Sequence, residues 1–252
     1  MLWGGFMPPE WTFYLFGGLA AVCMGFAKTG MPGTSVLAVA LMAQAFRHNA
    51  ELSVGAMLPI LLVGDVVAVS CYWRHTSWSR LWRLFPAVSV GLAIGFGVLH
   101  LVEGNELRPV LGVLVALMFV AELVRRRFNS DQVPHGWAFT SGVGVLAGFG
   151  TMAGNAAGPV MTLYLLSQEL PKDRFMGTCA VFFFTVNLIK VVPYTFEGMI
   201  TRETLTFALF GIPMTVVGVI LGRWAFHRFS QRVFDTLILF LAGLAAVWLF
   251  LG

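Results

Sequence analysis

The sequence predicts an all-α polytopic membrane protein of two inverted repeats, each a short broken-helix hairpin plus three transmembrane helices. Three observations carry this. The residues are 58% hydrophobic and 11% charged, against about 45–50% apolar and about 25% charged in soluble domains. The apolar excess runs along the whole chain rather than sitting in one core run, with mean hydropathy +0.82, which is the mark of a multi-span protein. Two polar, glycine-rich breaks interrupt it, at Gly25-Phe26-Ala27-Lys28-Thr29-Gly30-Met31-Pro32-Gly33-Thr34-Ser35 and at Gly148-Phe149-Gly150-Thr151-Met152-Ala153-Gly154-Asn155-Ala156-Ala157-Gly158-Pro159.

In order, the apolar segments are Trp11–Ala27, Pro32–Phe46, Leu52–Trp73, Leu84–Val102, Leu107–Leu123, Trp137–Met152, Ala156–Leu166, Phe175–Phe196, Leu205–Phe226 and Val233–Leu251. A spanning helix needs about 20 apolar residues. The third, fourth, eighth and ninth segments meet that length, and the fifth and tenth nearly do. The first, second, sixth and seventh are short, and each short pair flanks a break. Trp11 to Phe46 cannot be one helix, because at 1.5 Å per residue it would run roughly 54 Å through a core of about 30 Å. Pro32, Gly30 and Gly33 interrupt it. The short pairs are therefore re-entrant hairpins or two thin spans.

Charge counting separates the topologies. If each short pair returns to its own side, eleven of the Lys and Arg residues at or beyond segment ends fall on one side and three (Arg47, Arg108 and Arg202) on the other. If each pair crosses once, the split is 7 against 7. The positive-inside rule selects the paired topology and places both termini outside the cytoplasm, in the periplasm of a Gram-negative bacterium. The expected location is the bacterial inner membrane. Residues 11–127 form the first repeat, 128–136 a cytoplasmic connector and 137–252 the second repeat. Met1 to Glu10 has no positive n-region, so no cleavable signal peptide is expected.

The halves match residue by residue. Gly25-Phe26 matches Gly148-Phe149 at an offset of 123. Gly55, Asp65 and Tyr72 match Gly177, Asn187 and Tyr194 at 122. Pro86, Gly91 and Gly95 match Pro213, Gly218 and Gly222 at 127. With a returning pair and three spans, each half crosses an odd number of times, so the halves are inverted. Interruptions at matching positions of inverted repeats mark a transporter's substrate site.

With the pattern Gly-Phe-Gly…Gly…Gly-Pro at Gly148 to Pro159, a glycine-rich break in each half and this segment layout, the chain resembles the TauE/SafE family, also called the sulfite exporter or TSUP family, over nearly its whole length. The first break departs from the family's usual glycine run. It reads Lys-Thr-Gly-Met-Pro-Gly at Lys28 to Gly33, which points to an altered substrate choice. The resemblance implies a transporter of sulfite, organosulfonates or related small anions.

The residues argue for an anion independently. A break followed by a helix leaves free backbone N–H groups at the positive end of the helix dipole. Pro32-Gly33-Thr34-Ser35 and Asn155-Ala156-Ala157-Gly158-Pro159 each open a helix, and two such ends from inverted halves converge near the midplane. The candidate binding residues are Lys28, Thr29, Gly30, Gly33, Thr34, Thr151, Gly154, Asn155, Asn187 and Lys190. Lys190 faces this site or snorkels to the outer end. Asp65 lies mid-segment, as a salt-bridge partner for Lys28 or Lys190 or as a proton carrier, since an ionisable group inside a span usually has a paired or functional role. Each hydroxyl also has a local alternative as a cap or an i−4 backbone bond. His100 reads as interfacial, and Glu122 and Asp235 as locally paired.

The expected ligands are a small anion and membrane lipid, with protons or sodium as candidate coupling ions and a homodimer as a candidate assembly. No cofactor and no metal are expected. The basic residues, behind a pI near 9.3, sit singly or in short groups at segment ends, so no nucleic-acid partner is expected. Cys23, Cys71 and Cys179 are isolated, with no Cys-x-x-Cys, and read as small apolar packing residues. No His-Glu-x-x-His and no paired intramembrane aspartate supports an enzyme. A cation transporter is disfavoured by two buried lysines, and a structural or assembly factor would leave the buried charges without a role.

Overall fold

The computed structural model describes residues 10–30, 34–47, 49–102 and 136–228, with scattered positions between 106 and 120. Gly33, Glu122, Asp235, the Val233–Leu251 segment, most of the 128–136 connector and much of the Leu107–Leu123 segment lie outside the described residues. The described part is all-helical. Its helices are α1 (Glu10–Thr29), α2 (Ser35–Ala45), α3 (Ala50–Tyr72), α4 (Trp78–Leu101), α5 (Trp137–Gly154), α6 (Gly158–Ser167), α7 (Lys172–Phe196) and α8 (Arg202–Arg228). A 3-10 turn, Trp73–His75, follows α3.

Five of these helices, α1, α3, α4, α7 and α8, are long and apolar enough to cross a membrane. The first segment is therefore not short. It gains Glu10 at one end and Lys28-Thr29 at the other, because nothing in that sequence breaks a helix before Gly30. At 1.5 Å per residue α1 is about 30 Å long and α5 about 27 Å, while α2 and α6 reach only about 17 and 15 Å. Each break thus joins one long arm to one half-length arm.

Local chemistry sets the ends. Asn49 caps α3, its side chain accepting from the Leu52 N–H at 3.1 Å. Asn155 ends α5 in the left-handed region, φ 56°, which asparagine tolerates better than most residues. Gly158 and Pro159 open α6, where a missing proline N–H costs nothing. Pro59, Pro86 and Pro213 sit inside long helices, as bilayer-spanning helices allow.

Both short pairs turn back on themselves. Phe13, near the start of α1, stacks edge-on with Phe46 at the end of α2, centroids 4.9 Å apart. Phe207, near the start of α8, joins them at 5.2 Å. At the opposite end of the bundle, Trp137 at the start of α5, Ser167 at the end of α6 and Arg80 at the start of α4 line one cleft. The α1–α2 hairpin enters from the aromatic end and the α5–α6 hairpin from the other. The second end is basic, carrying Arg74, Arg80, Arg83, Arg174 and Arg223, against Arg47 and Arg202 at the aromatic end. His100, at the end of α4, meets Glu197 at 3.1 Å beside the aromatic end and is an exposed surface group.

The most extensive helix contacts join the two sequence halves, α1 with α8 and α4 with α5. Glycines make these crossings possible. A Cβ on Gly25 would overlap the Thr215 carbonyl, and one on Gly218 the Val22 carbonyl. On the other pair, Gly148 meets Val88 and Gly91 meets Val145 in the same way. The two sets correspond partner by partner at offsets of 123 and 127. Small residues at such crossings let backbones approach where lipid supplies no hydrophobic drive. The more deeply buried α3 and α7 cross in the middle.

Candidate functional site

The crossing of α3 and α7 brings together two residues that the sequence comparison paired. Asn187 donates its Nδ2–H to Asp65 Oδ2 at 2.6 Å. The other carboxylate oxygen, Oδ1, is 2.6 Å from Lys28 Nζ, which arrives on the last turn of α1. Asp65 and Asn187 are fully buried and the Lys28 side chain nearly so. Lys28 also lies over the Phe183 ring, 4.5 Å from its centroid, a cation–π contact that strengthens when desolvated. Of the two partners open to Asp65 in the sequence, the structure selects Lys28.

Lys190, one turn beyond Asn187, is fully buried and does not snorkel. Its ammonium donates to Thr151 O at 3.0 Å, to Thr151 Oγ1 at 3.2 Å and to Asn155 Oδ1. That uses all three donors. The Asn155 amide donates onward to Val54 O at 3.1 Å, tying the tip of the second hairpin to α3. The Tyr194 hydroxyl donates to Met152 O at 2.7 Å. The end of α5 is therefore held from both α3 and α7.

Between these groups lies a cavity of about 30 Å³. Lys28, Thr151, Asn155 and Asn187 line it, together with Ser35 and Gly158, the first residues of α2 and α6. The N-terminal ends of both half-length helices thus meet at one place, with the positive ends of two dipoles. An apolar, sulfur-rich stretch of wall, formed by Met24, Met176, Cys179 and Phe183, adjoins them. Asn187 Oδ1 is a buried acceptor without a hydrogen-bond donor, so the site offers an acceptor beside its donors. Lys28, Lys190 and Asp65 sum to one net positive formal charge. The volume is about that of one water. A three-oxygen anion is larger than this volume.

Of the residues expected from sequence, Lys28, Thr151, Asn155 and Asn187 line the cavity, and Lys190 supports its wall from behind. Others do not line it. The Thr29 hydroxyl donates to Val219 O at 2.8 Å, joining α1 to α8. Gly30 packs against Gly222 of α8, where a side chain would not fit. Thr34 and Gly154 are buried outside the lining. These four share the break with the cavity residues but face another way. Sequence reasoning missed the apolar wall. Its signal was present, because Met176, Cys179, Phe183, Asn187 and Lys190 recur at helical spacing on one face of α7. Among the described residues no cluster of His, Cys, Asp or Glu is arranged to hold a metal.

No curated protein and no solved structure matches the chain. A family model does: the one described as Sulfite exporter TauE/SafE matches residues 15–249. That match takes in both hairpins, both lysines and the Asp65–Asn187 crossing, and the chain belongs to the TauE/SafE family of membrane transporters.

Proposed function

We propose that this protein is a secondary transporter carrying a small anion, sulfite or an organic anion bearing a sulfonate or related group, across the bacterial inner membrane by alternating access. The observation that carries the reading is the meeting of Lys28, Ser35 and Gly158 around one buried cavity: a lysine and two helix N-termini, delivered by hairpins that enter from opposite ends. Such broken helices hold substrate at the midplane of inverted-repeat transporters. Residues 11–127 and 137–252 act as the two repeats, and the basic end faces the cytoplasm, which leaves the termini periplasmic.

In this mechanism Asp65 stands in for the anion. It holds Lys28 while the site is contracted and yields it when a larger anion widens the cavity. The released carboxylate can then take a proton, which makes protons the favoured coupling ion. The apolar wall accommodates the non-ionic part of a sulfonate. The test is flux of labelled sulfite and of a short alkanesulfonate into proteoliposomes. Lys28→Ala and Asp65→Asn should each reduce flux to background while the protein still elutes as a folded species. Full flux in both variants would sink the site assignment.

A further inference from the structure

A second cleft, of about 680 Å³, opens at the basic end between the starts of α4 and α5 and the end of α6. Arg80 and Arg83 line it from α4, and Glu169 from the turn after α6. Neither arginine forms an ion pair among the described residues, and neither does Glu169. Trp82 and Trp137 flank the opening, 69% and 85% exposed, with exposed Pro86 a turn deeper on α4. Tryptophans in that position sit at the headgroup level of a bilayer. The cleft therefore faces sideways into lipid.

The other end of the molecule shows what the fold does without such a cleft. Counting 127 residues on from Arg80 and Arg83 gives Phe207 and Phe210. There the corresponding space is filled with rings, Phe207 against Phe13 and Phe46 and Phe210 against Tyr14, with centroids 5.1–5.2 Å apart. Helix packing alone can close this position. At the basic end it is left open and lined with two guanidiniums and one carboxylate.

We propose that this cleft binds the headgroup of a zwitterionic phospholipid, phosphatidylethanolamine, from the surrounding bilayer. Guanidinium forks match a phosphodiester in a bidentate way, and Glu169 faces the ammonium. The volume suits a headgroup, within the usual range of about 300–1,000 Å³ for small-molecule sites. An anionic headgroup would leave Glu169 unmatched. Tyr164 of α6 lines the cleft and bonds to Arg80 O at 3.2 Å, while Gly158 of the same helix lines the central cavity. Bound lipid would thus steady the second hairpin. The inference does not depend on which anion is carried, or on transport at all.

The experiment is native mass spectrometry of the full chain, delipidated in a neutral detergent and titrated with phosphatidylethanolamine or phosphatidylglycerol. The wild type should retain phosphatidylethanolamine preferentially. Arg80→Gln with Arg83→Gln should weaken that binding about tenfold or more, two cations at a membrane surface being removed. Glu169→Gln, at an exposed turn where folding is not at stake, should abolish the preference for phosphatidylethanolamine over phosphatidylglycerol. Equal binding of the two lipids by the wild type, equal retention by the double-arginine variant, or displacement of the lipid by millimolar inorganic phosphate would each overturn the proposal.

Discussion

The two hairpins reach the same cavity with different chemistry. The first brings a cation, Lys28, held by the Asp65 carboxylate of α3. The second brings only neutral groups, Thr151 and Asn155, and its lysine comes from α7 instead. At the offsets that relate the halves, Lys28 falls on Thr151, Asp65 on Asn187 and Lys190 on Ala68. Each half therefore supplies one lysine, from a different helix. The placement matters because the two lysines are bonded differently. Lys190 spends its three donors on fixed acceptors of the protein, whereas Lys28 has one ionic partner, a ring and the cavity. In the proposed mechanism the first half carries the group that changes partner, and the second carries the scaffold that keeps the cavity in place.

The largest effect should come from removing the exchangeable cation. Lys28→Met leaves a buried carboxylate without its counter-charge, a loss of about 3–5 kcal/mol for broken buried pairs. Adding Asp65→Asn removes that penalty. The double variant should recover most of the lost melting temperature in detergent yet show no anion-induced thermal shift. Recovery of the shift would make Lys28 a structural residue and erase the contrast between the hairpins.

A smaller effect is expected at Lys190. Lys190→Met leaves Asn155 Oδ1 without its donor, about 1–3 kcal/mol for a buried group left unsatisfied, while Thr151 O keeps the Asn155 N–H at 3.0 Å. Asn155 still donates to Val54 O, so the hairpin tip loosens without detaching. Titration with sulfite should show weakened but measurable binding. Complete loss of binding in a folded variant would promote Lys190 to a direct ligand. Smallest is Thr29→Val, which removes one bond between α1 and α8 and should cost about 0.6 kcal/mol, the average for such bonds in membranes. Anion affinity should stay as in the wild type, measured by the same thermal-shift titration. A fall in affinity would return Thr29 to the site.

Much of this was legible in the sequence because membranes simplify the signal. A lysine or an aspartate inside an apolar run stands out, so Lys28, Asp65, Asn187 and Lys190 could be named before any coordinates. The breaks were legible through glycine and proline, and the return of each short pair through the placement of arginine. What the sequence hides is direction. Thr29 and Gly30 are neighbours of Lys28, yet they serve helix packing against Val219 and Gly222. Phe183 and Cys179 read as ordinary apolar residues until α7 is turned to show that they share a face with Asn187. The cleft beside Arg80 escaped because arginines at a segment end are expected from topology alone. Only the aromatic filling of the opposite end shows that the space needed an explanation.

The glycine-stitched helix pairs also bear on how the molecule is made. Gly25 meets Thr215, 190 residues further along the chain. At about 5–20 residues per second, synthesis of that interval takes on the order of ten seconds or more. Throughout that time α1 sits in the bilayer with Lys28 already inserted and its widest interface facing lipid. Asp65 emerges early and can neutralise the lysine, but the bare glycine surface has to wait for the last described helix. In the nascent first half this face of α1 therefore stays unpaired until the second half is made.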